Sequence, residues 1–347
     1  MSKTKIIIDS KEFHSKLKAL NPSSVVVLTD NNTSQFCLNI AQEQALRDIE
    51  FHQISIPAGE STKTLDSAKN LWDQIISLRL DRNMILVCLG GGMICDLGGY
   101  VASCYKRGVR TVYIPTTNLA MTDAAIGGKT GVNFGSAKNQ IGTFHLPEFV
   151  LLDFRYLDTL SRPELVNGHA ETIKHALIAD AQLWDIIRTA AAPWENSEII
   201  NRSSNVKLRI IEGDLHDFGI RQSLNFGHTI GHAIETASHQ TSSSLLHGQA
   251  ILFGMTGETW LSHELQILST KDFEEVLFYL KKFTDQITLP KMSISSIIAP
   301  MILDKKNSEG QIIFSLIEGI GSSKQAMSID LDLISLALEF TLNSNTN

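Results

Sequence analysis

Apolar runs and their spacing divide the chain into two halves. Short β-branched stretches at 5–8 (Lys-Ile-Ile-Ile), 25–29 (Val-Val-Val-Leu-Thr) and 51–56 predict strands. A continuous apolar run at 84–89 (Met-Ile-Leu-Val-Cys-Leu) predicts a strand covered on both faces, as in a parallel sheet. Two more strands are expected at 109–114 and 149–153. Helical patterns lie between them, among them 64–79, where Leu65, Ala68, Leu71, Trp72, Ile75 and Ile76 recur at three-to-four spacing. Strands alternating with helices predict a doubly wound, Rossmann-like α/β domain over residues 1–157. From about residue 158 the pattern becomes long and amphipathic: 162–180, 182–192, 197–214, 223–238, 247–265, 272–283 and 329–341. That half, 158–347, is expected to be an all-α domain.

Composition narrows the class. The 347 residues are 43% hydrophobic and 19% charged, an ordinary globular balance, and no 18-residue apolar run predicts a membrane span. A net charge of −7 without a basic tract argues against nucleic-acid binding. Cys37, Cys88, Cys95 and Cys104 form no C-x-x-C pair, which suits free thiols in a reducing compartment. The apolar part of the N-terminus is too short for a signal peptide. The expectation is a soluble, cytoplasmic protein with no membrane or nucleic-acid partner.

Candidate chemistry centres on 225–235, Asn-Phe-Gly-His-Thr-Ile-Gly-His-Ala-Ile-Glu. His228 and His232 are four apart and share one helix face. They could share a divalent metal, or one could hold a metal while the other handles a substrate; the plain alternative is two ordinary histidines. In the first half, Gly90-Gly91-Gly92 follows the apolar strand and opens a helix, so a pyrophosphate could approach the backbone there. It is not G-x-G-x-x-G, and the plain alternative is a tight turn needing positive φ. Asp30 ends another strand and could accept ribose hydroxyls, with Glu60 and Lys63 adding contacts; each could equally be a cap or a solvated charge. The glycine-rich stretch 121–142 reads as a loop with Lys129, Lys138 and Asn139 able to hold an oxyanion and Asp123 able to orient one of them. It is not a phosphate loop, because residue 123 is Asp where that motif needs Gly. Glu171 and Lys174 sit three apart, either as a carboxylate ligand with its neighbour or as a surface ion pair. Cations recur at Arg107, Lys129, Lys138, Lys174, Lys207, Arg221, Lys305 and Lys306 in an acidic chain. A small polyanionic substrate, bound between the domains beside a metal and a nucleotide, accounts for them.

The ordered set of motifs is more specific than any one of them. Gly90-Gly-Gly-x3-Asp96, Tyr105-Lys-Arg107-Gly, Pro115-Thr116-Thr117, Asp123-x3-Gly-Gly-Lys129-Thr-x-Val-Asn133, Lys138-Asn139, Glu171-x2-Lys174, Arg221-x3-Asn225-x2-His228-x3-His232 and Asp304-Lys305-Lys306 run in this order across the chain. The sequence closely resembles the 3-dehydroquinate synthases, a branch of the sugar phosphate cyclases. The resemblance implies an NAD-binding α/β domain followed by a helical metal-binding domain, and a cytoplasmic homodimer. It also implies the reaction: 3-deoxy-D-arabino-heptulosonate 7-phosphate to 3-dehydroquinate and phosphate, the second step of the shikimate pathway. The substrate would be oxidised, lose phosphate, be reduced again and close by an aldol step, with no net redox.

The resemblance further implies that Glu171, His228 and His247 hold Zn2+ or Co2+, which gives His232 to the substrate rather than to the metal. Arg107, Lys129, Asn139, Lys207, Arg221, Asn225, His232 and one of Lys305 and Lys306 would bind substrate, Arg107 from across the dimer. Asp123, Lys129, Lys174, Arg221, Asn225 and His232 would form the catalytic cluster. Asp30, Glu60, Lys63, Gly91, Gly92, Asp96, Thr116, Thr117, Lys129 and Lys138 would hold NAD. Four positions depart from the family pattern: Cys95 stands where Gly is more frequent, Leu215 and Asp217 where Glu is usual, and Gln249 where Glu commonly follows His247-Gly. The last is expected to weaken the support of a metal ligand. The alternatives are a sister cyclase acting on another sugar phosphate, a metal-dependent polyol dehydrogenase, and a non-catalytic binding protein.

Overall fold

The computed structural model describes residues 4–135, 137–241, 243–302 and 312–344. The chain divides into two compact units, Met1–Gly168 and His169–Asn347. The first unit holds strands β1 (Lys5–Ile7), β2 (Val25–Asp30), β3 (His52–Ile56), β4 (Ile85–Gly90), β5 (Arg110–Pro115), β6 (Lys129–Phe134), β7 (Ala137–Phe144) and β8 (Phe149–Leu151). Its helices are α1 (Ser10–Ala19), α2 (Asn31–Phe36), α3 (Leu38–Glu43), α4 (Leu65–Ser77) and α5 (Gly92–Cys104). Six strands form one sheet in the order β1-β8-β5-β4-β2-β3, and every neighbouring pair is parallel. All residues of β2 and β4 are buried, as the unbroken apolar runs require. The chain passes from β2 outward to β3, then returns to place β4 on the other side of β2. Asp30 and Gly90 therefore end the two strands that flank the point where the strand order reverses, the usual seat of a ligand in open α/β sheets.

The stretch expected as a glycine-rich loop is instead the antiparallel hairpin β6–β7, with Lys129 opposite Phe144 and Gly131 opposite Gly142. The glycines suit a strand here because the two backbones approach so closely. A Cβ on Gly142 would fall on the Thr130 carbonyl oxygen, and one on Gly131 would lie 2.6 Å from that of Ile141.

Helix α6 (Arg162–Ala179) begins in the first unit and runs into the second. The second unit continues with α7 (Ala181–Thr189), α8 (Ser197–Gly213), α9 (His228–Ser238), α10 (His247–Glu264), α11 (Thr270–Thr284), α12 (Ile294–Ile302) and α13 (Leu331–Asn343). The helix expected from residue 223 starts at His228. Ile220–Asn225 is a 3-10 turn, and Gly227, at φ +78°, breaks the path between them. This unit also carries a feature the helical pattern did not announce, the antiparallel hairpin β9 (Ile312–Gly319) and β10 (Ser322–Ile329). The first of these is a mostly apolar run broken by Ser315, which periodicity alone cannot tell from a buried helix segment. Ile230, Ile234, Phe253, Leu261, Phe314, Leu316 and Leu338 close one core beneath α9, α10, α13 and β9. Among the described residues no helix is long and apolar enough to cross a membrane.

Candidate metal centre and nucleotide turn

The metal candidates all lie in the second unit, and three elements present them. Glu171 is in the middle of α6, fully buried. His228 and His247 are the first residues of α9 and α10. These two helices pack backbone against backbone. A Cβ on Gly254 would fall on the carbonyl oxygen of Gly227, and one on Gly231 would lie 2.8 Å from Ile251 Cδ1 and 3.1 Å from the Ala250 oxygen. Glycine at these positions is what lets the helix starts, and so the two imidazoles, come together.

Glu171 Oε1 lies 3.5 Å from Nε2 of His228 and 3.5 Å from Nε2 of His247. The other carboxylate oxygen pairs with Lys174, which is itself buried. A surface ion pair, the plain alternative for Glu171 and Lys174, is therefore ruled out by burial. His228 Nδ1 is 3.1 Å from the Phe226 carbonyl, and His247 Nδ1 is 3.0 Å from Glu235 Oε2. A carbonyl and a carboxylate only accept, so each Nδ1 carries a proton and each Nε2 is the ring atom turned toward Glu171. Two such imidazoles and a carboxylate are the donor set of an open zinc-type site. Burial pushes His247 toward its neutral form, yet Glu171 and Glu235 carry its pKa up to about 10. The pocket thus favours positive charge, and a divalent ion fits it.

His232 stands beside this set, its ring 4.9 Å from that of His228 and 5.6 Å from that of His247. The helical spacing did bring His228 and His232 together. What spacing could not show is that His247 and Glu171 arrive from other helices. Gln249 Oε1 accepts the Leu246 N–H at 2.9 Å and so caps α10. The carboxylate behind His247 is Glu235, so the Gln at 249 does not leave that histidine unsupported. Glu235 follows His228 by seven residues and His232 by three, on the same helix face, a spacing that could have found it.

Among the cationic and polar candidates of this unit, Lys207 and Arg221 are buried. Arg221 Nη1 donates to the Leu215 carbonyl at 2.5 Å, and its N–H donates to Asp214 Oδ2 at 3.2 Å. Leu215 serves through its backbone, so the side chain there is free to depart from the family pattern. Asp217 has a left-handed backbone, φ +67°. Asn225 closes the 3-10 turn two residues before Gly227. Lys305 and Lys306 fall outside the described residues.

In the first unit, Gly91 and Gly92 open α5, whose start no side chain caps. None of Gly90, Gly91 and Gly92 has positive φ. The turn needs glycine for space: a Cβ on Gly91 would lie 3.1 Å from Thr117 Cγ2, and one on Gly90 2.6 Å from Ile94. Thr116, buried, donates its N–H to the Gly90 carbonyl at 3.0 Å. Cys95 is buried in the first turns of α5, and burial pushes its thiol up. Asp30 is the N-cap of α2, accepting the Thr33 N–H at 2.8 Å, so its cap role and a ribose role would share one carboxylate. Lys63, buried, bonds Glu60 Oε1 at 2.9 Å and Asp96 Oδ2 at 3.1 Å. Burial opposes its charge, but Asp96 and Glu60 together raise its pKa. Asn133 Nδ2 donates to the same Glu60 oxygen at 2.9 Å, tying this group to the hairpin.

Asp123 sits in a π-helical turn, Ala120–Ala124. Lys129 opens β6, whereas Lys138 and Asn139 lie near the tip. That separates the ends by roughly 14 Å along the strands, at about 3.4 Å per residue. The hairpin alone therefore does not gather the three into one oxyanion site. Arg107 is exposed on a turn where Lys106 and Arg107 both have positive φ, +48° and +62°.

Residues 53–167 match the family described as 3-dehydroquinate synthase N-terminal, and 168–307 match 3-dehydroquinate synthase C-terminal. The chain belongs to the 3-dehydroquinate synthase family. A 3-dehydroquinate synthase of Parabacteroides distasonis is 37% identical over 98% of this chain and 98% of its own length. One from Pyrococcus abyssi is 41% identical over 88% of this chain and 90% of its own. Among solved structures, the 2-epi-5-epi-valiolone synthase of Streptomyces hygroscopicus subsp. jinggangensis 5008, with NAD+ and Zn2+ bound, superposes with a TM-score of 0.87. It is 26% identical and covers 99% of this chain and 98% of that chain. The sugar phosphate cyclase fold is thus shared more widely than the sequence of the dehydroquinate synthases.

Proposed function

We propose that this chain converts 3-deoxy-D-arabino-heptulosonate 7-phosphate to 3-dehydroquinate and phosphate, using NAD and a divalent metal, zinc or cobalt. The observation that carries the reading is the placement of Glu171 Oε1 at 3.5 Å from Nε2 of both His228 and His247. When bound, the ion supplies Lewis acidity to a substrate hydroxyl and NAD accepts and returns a hydride. The chain's own part is to hold, orient and neutralise. Glu171, His228 and His247 hold the ion. Gly91, Gly92, Asp30, Glu60, Lys63, Asp96, Thr116, Thr117, Lys129 and Lys138 seat the dinucleotide. Lys207, Arg221, Asn225, His232, Asn139 and Lys129 bind carboxylate, hydroxyl and phosphate groups, with Lys305 or Lys306 and the partner subunit's Arg107 at the rim. Lys174 and Asp123 complete the polar cluster, and cations close to the reacting carbons stabilise the charge that develops as phosphate leaves. The assembly is a cytoplasmic homodimer acting as a phosphate-eliminating lyase.

The test is incubation of purified protein with the heptulosonate phosphate, catalytic NAD and zinc. Phosphate release with dehydroquinate and no lasting NADH supports the reading. Accumulating NADH overturns it in favour of a polyol dehydrogenase. Phosphate released only from a different sugar phosphate supports the second reading, a sister cyclase, which the closeness of the valiolone synthase fold favours.

A further inference from the structure

His247 is backed directly by a carboxylate, Glu235. Nδ1 of His228 instead meets a peptide carbonyl, that of Phe226. The other end of that same peptide unit is the Gly227 N–H, and it donates to Glu258 Oε2 at 2.6 Å. Glu258 lies on α10, fully buried, and its second oxygen accepts the Ile230 N–H at 3.0 Å. A chain of contacts therefore runs from the Glu258 carboxylate, through one amide, to Nδ1–H of His228, whose Nε2 faces Glu171.

We infer that Glu258 is a positioning residue for the metal centre, the carboxylate behind His228, acting through the Phe226–Gly227 peptide. The inference rests on the assignment of His228 as a metal ligand. A charged acceptor on the amide N–H polarises the peptide, which makes its C=O a stronger acceptor for the imidazole N–H. The ring is held in one tautomer and orientation and its Nε2 becomes a better donor, as the direct carboxylate does for His247. Three structural facts make the relay possible. Gly227, at φ +78°, turns this peptide toward α10. The contact of Gly254 with Gly227 and Gly231 brings the helices close enough for a glutamate to reach. α9 has no side-chain cap from its own N-cap residue, so its first amides are available to Glu258. In the sequence, Glu258 is a lone charge inside an apolar helical run, a place where a carboxylate survives only with partners.

A simple helix cap would need only acceptor atoms, whereas the relay needs charge. Glu258→Gln removes the charge but keeps one carbonyl acceptor, and the loss of the second cap contact is read separately as a stability change in urea unfolding. Zinc affinity is measured by chelator competition on the full chain, with Glu235→Gln beside it, and the cobalt(II) absorption bands are recorded. The relay predicts an affinity loss of about tenfold for Glu258→Gln, in the range of lost outer partners, with shifted cobalt bands. Unchanged affinity and bands overturn it and leave Glu258 a cap. Should the variant fail to fold, the wild-type amides decide. On adding zinc, the Gly227 amide proton must shift more than that of Ile230, which meets the same carboxylate outside the relay. Equal or reversed shifts overturn the relay. Failure of the wild type to bind zinc overturns the metal assignment, and the relay with it.

Discussion

Among the helix starts that no N-cap side chain covers, those of α5 and α9 are used in opposite ways. At α5 the N-cap is Gly91, which has no side chain to cap the first turn. At α9 the N-cap is Gly227, and a buried carboxylate from α10 fills the place. Both ends carry orphan N–H groups and the positive end of a helix dipole. The difference lies in what is brought near. The start of α5 sits at the carboxyl end of β4, at the edge of the sheet where the strand order reverses, where an anion from solution can arrive. The start of α9 is pressed on another helix through glycine contacts, and a buried side chain of that helix meets its amides. One glycine cluster makes a tight turn at the sheet edge, the other admits a second backbone that positions His228.

The sharpest break of this comparison is Gly254→Ala. Its methyl group would fall on the Gly227 carbonyl oxygen and within 2.6 Å of the Gly231 nitrogen, so whole helices must move. A stability loss above about 4 kcal/mol is expected in urea unfolding, since neither contact can yield by a rotamer change. Glu171→Gln acts on the centre that these helices serve. It should weaken zinc binding by more than about a hundredfold, beyond the loss seen for outer partners, with little change in NAD affinity by calorimetry. Gly91→Ala is its counterpart at α5. Its Cβ would lie 3.1 Å from Thr117 Cγ2, a contact that a small shift relieves. The fold should survive, NAD affinity should fall by about tenfold as the dinucleotide meets the new methyl, and zinc affinity should stay. Unequal losses in the reverse sense would exchange the roles assigned to the two ends.

An ordinary cap supplies the baseline. Asp180 starts α7, accepting the Leu183 N–H at 3.0 Å and bonding Arg202 at 2.8 Å. Burial pushes its carboxyl up, but Arg202 and the Leu183 amide outweigh that and hold it below the usual carboxylate value. Its stabilising contribution is therefore present at neutral pH and is lost as pH falls through the folded-state value. Asp180→Ala should cost about 1 kcal/mol at pH 7, and the gap to wild type in urea midpoint should close toward pH 3. Nothing about metal or NAD affinity should change.

Much of this was legible in the residues. The apolar and β-branched runs placed every strand of the parallel sheet, most plainly β4, where burial on both faces leaves no polar positions to confuse the pattern. The motif order pointed to a nucleotide turn and a histidine-rich helix. Periodicity reached only His228 and His232, since it relates residues within one element. His247 and Glu171 enter from α10 and α6, and only packing joins them. The hairpin β6–β7 read as a loop because its glycines hide the alternation, and what makes them strand residues is the partner strand opposite. Asp30 read as either cap or ribose contact, and the cap half of that choice is visible in its bond to Thr33.

By itself the sequence determined the strands of the parallel sheet, the long helices, the family and the kinds of side chain available to a site, because local pattern and residue chemistry are properties of neighbours along the chain. Tertiary structure alone decided which carboxylate stands behind which imidazole, and which glycines meet a side chain and which a second helix. Those choices depend on distances between segments far apart in sequence, set when the buried faces close on one another.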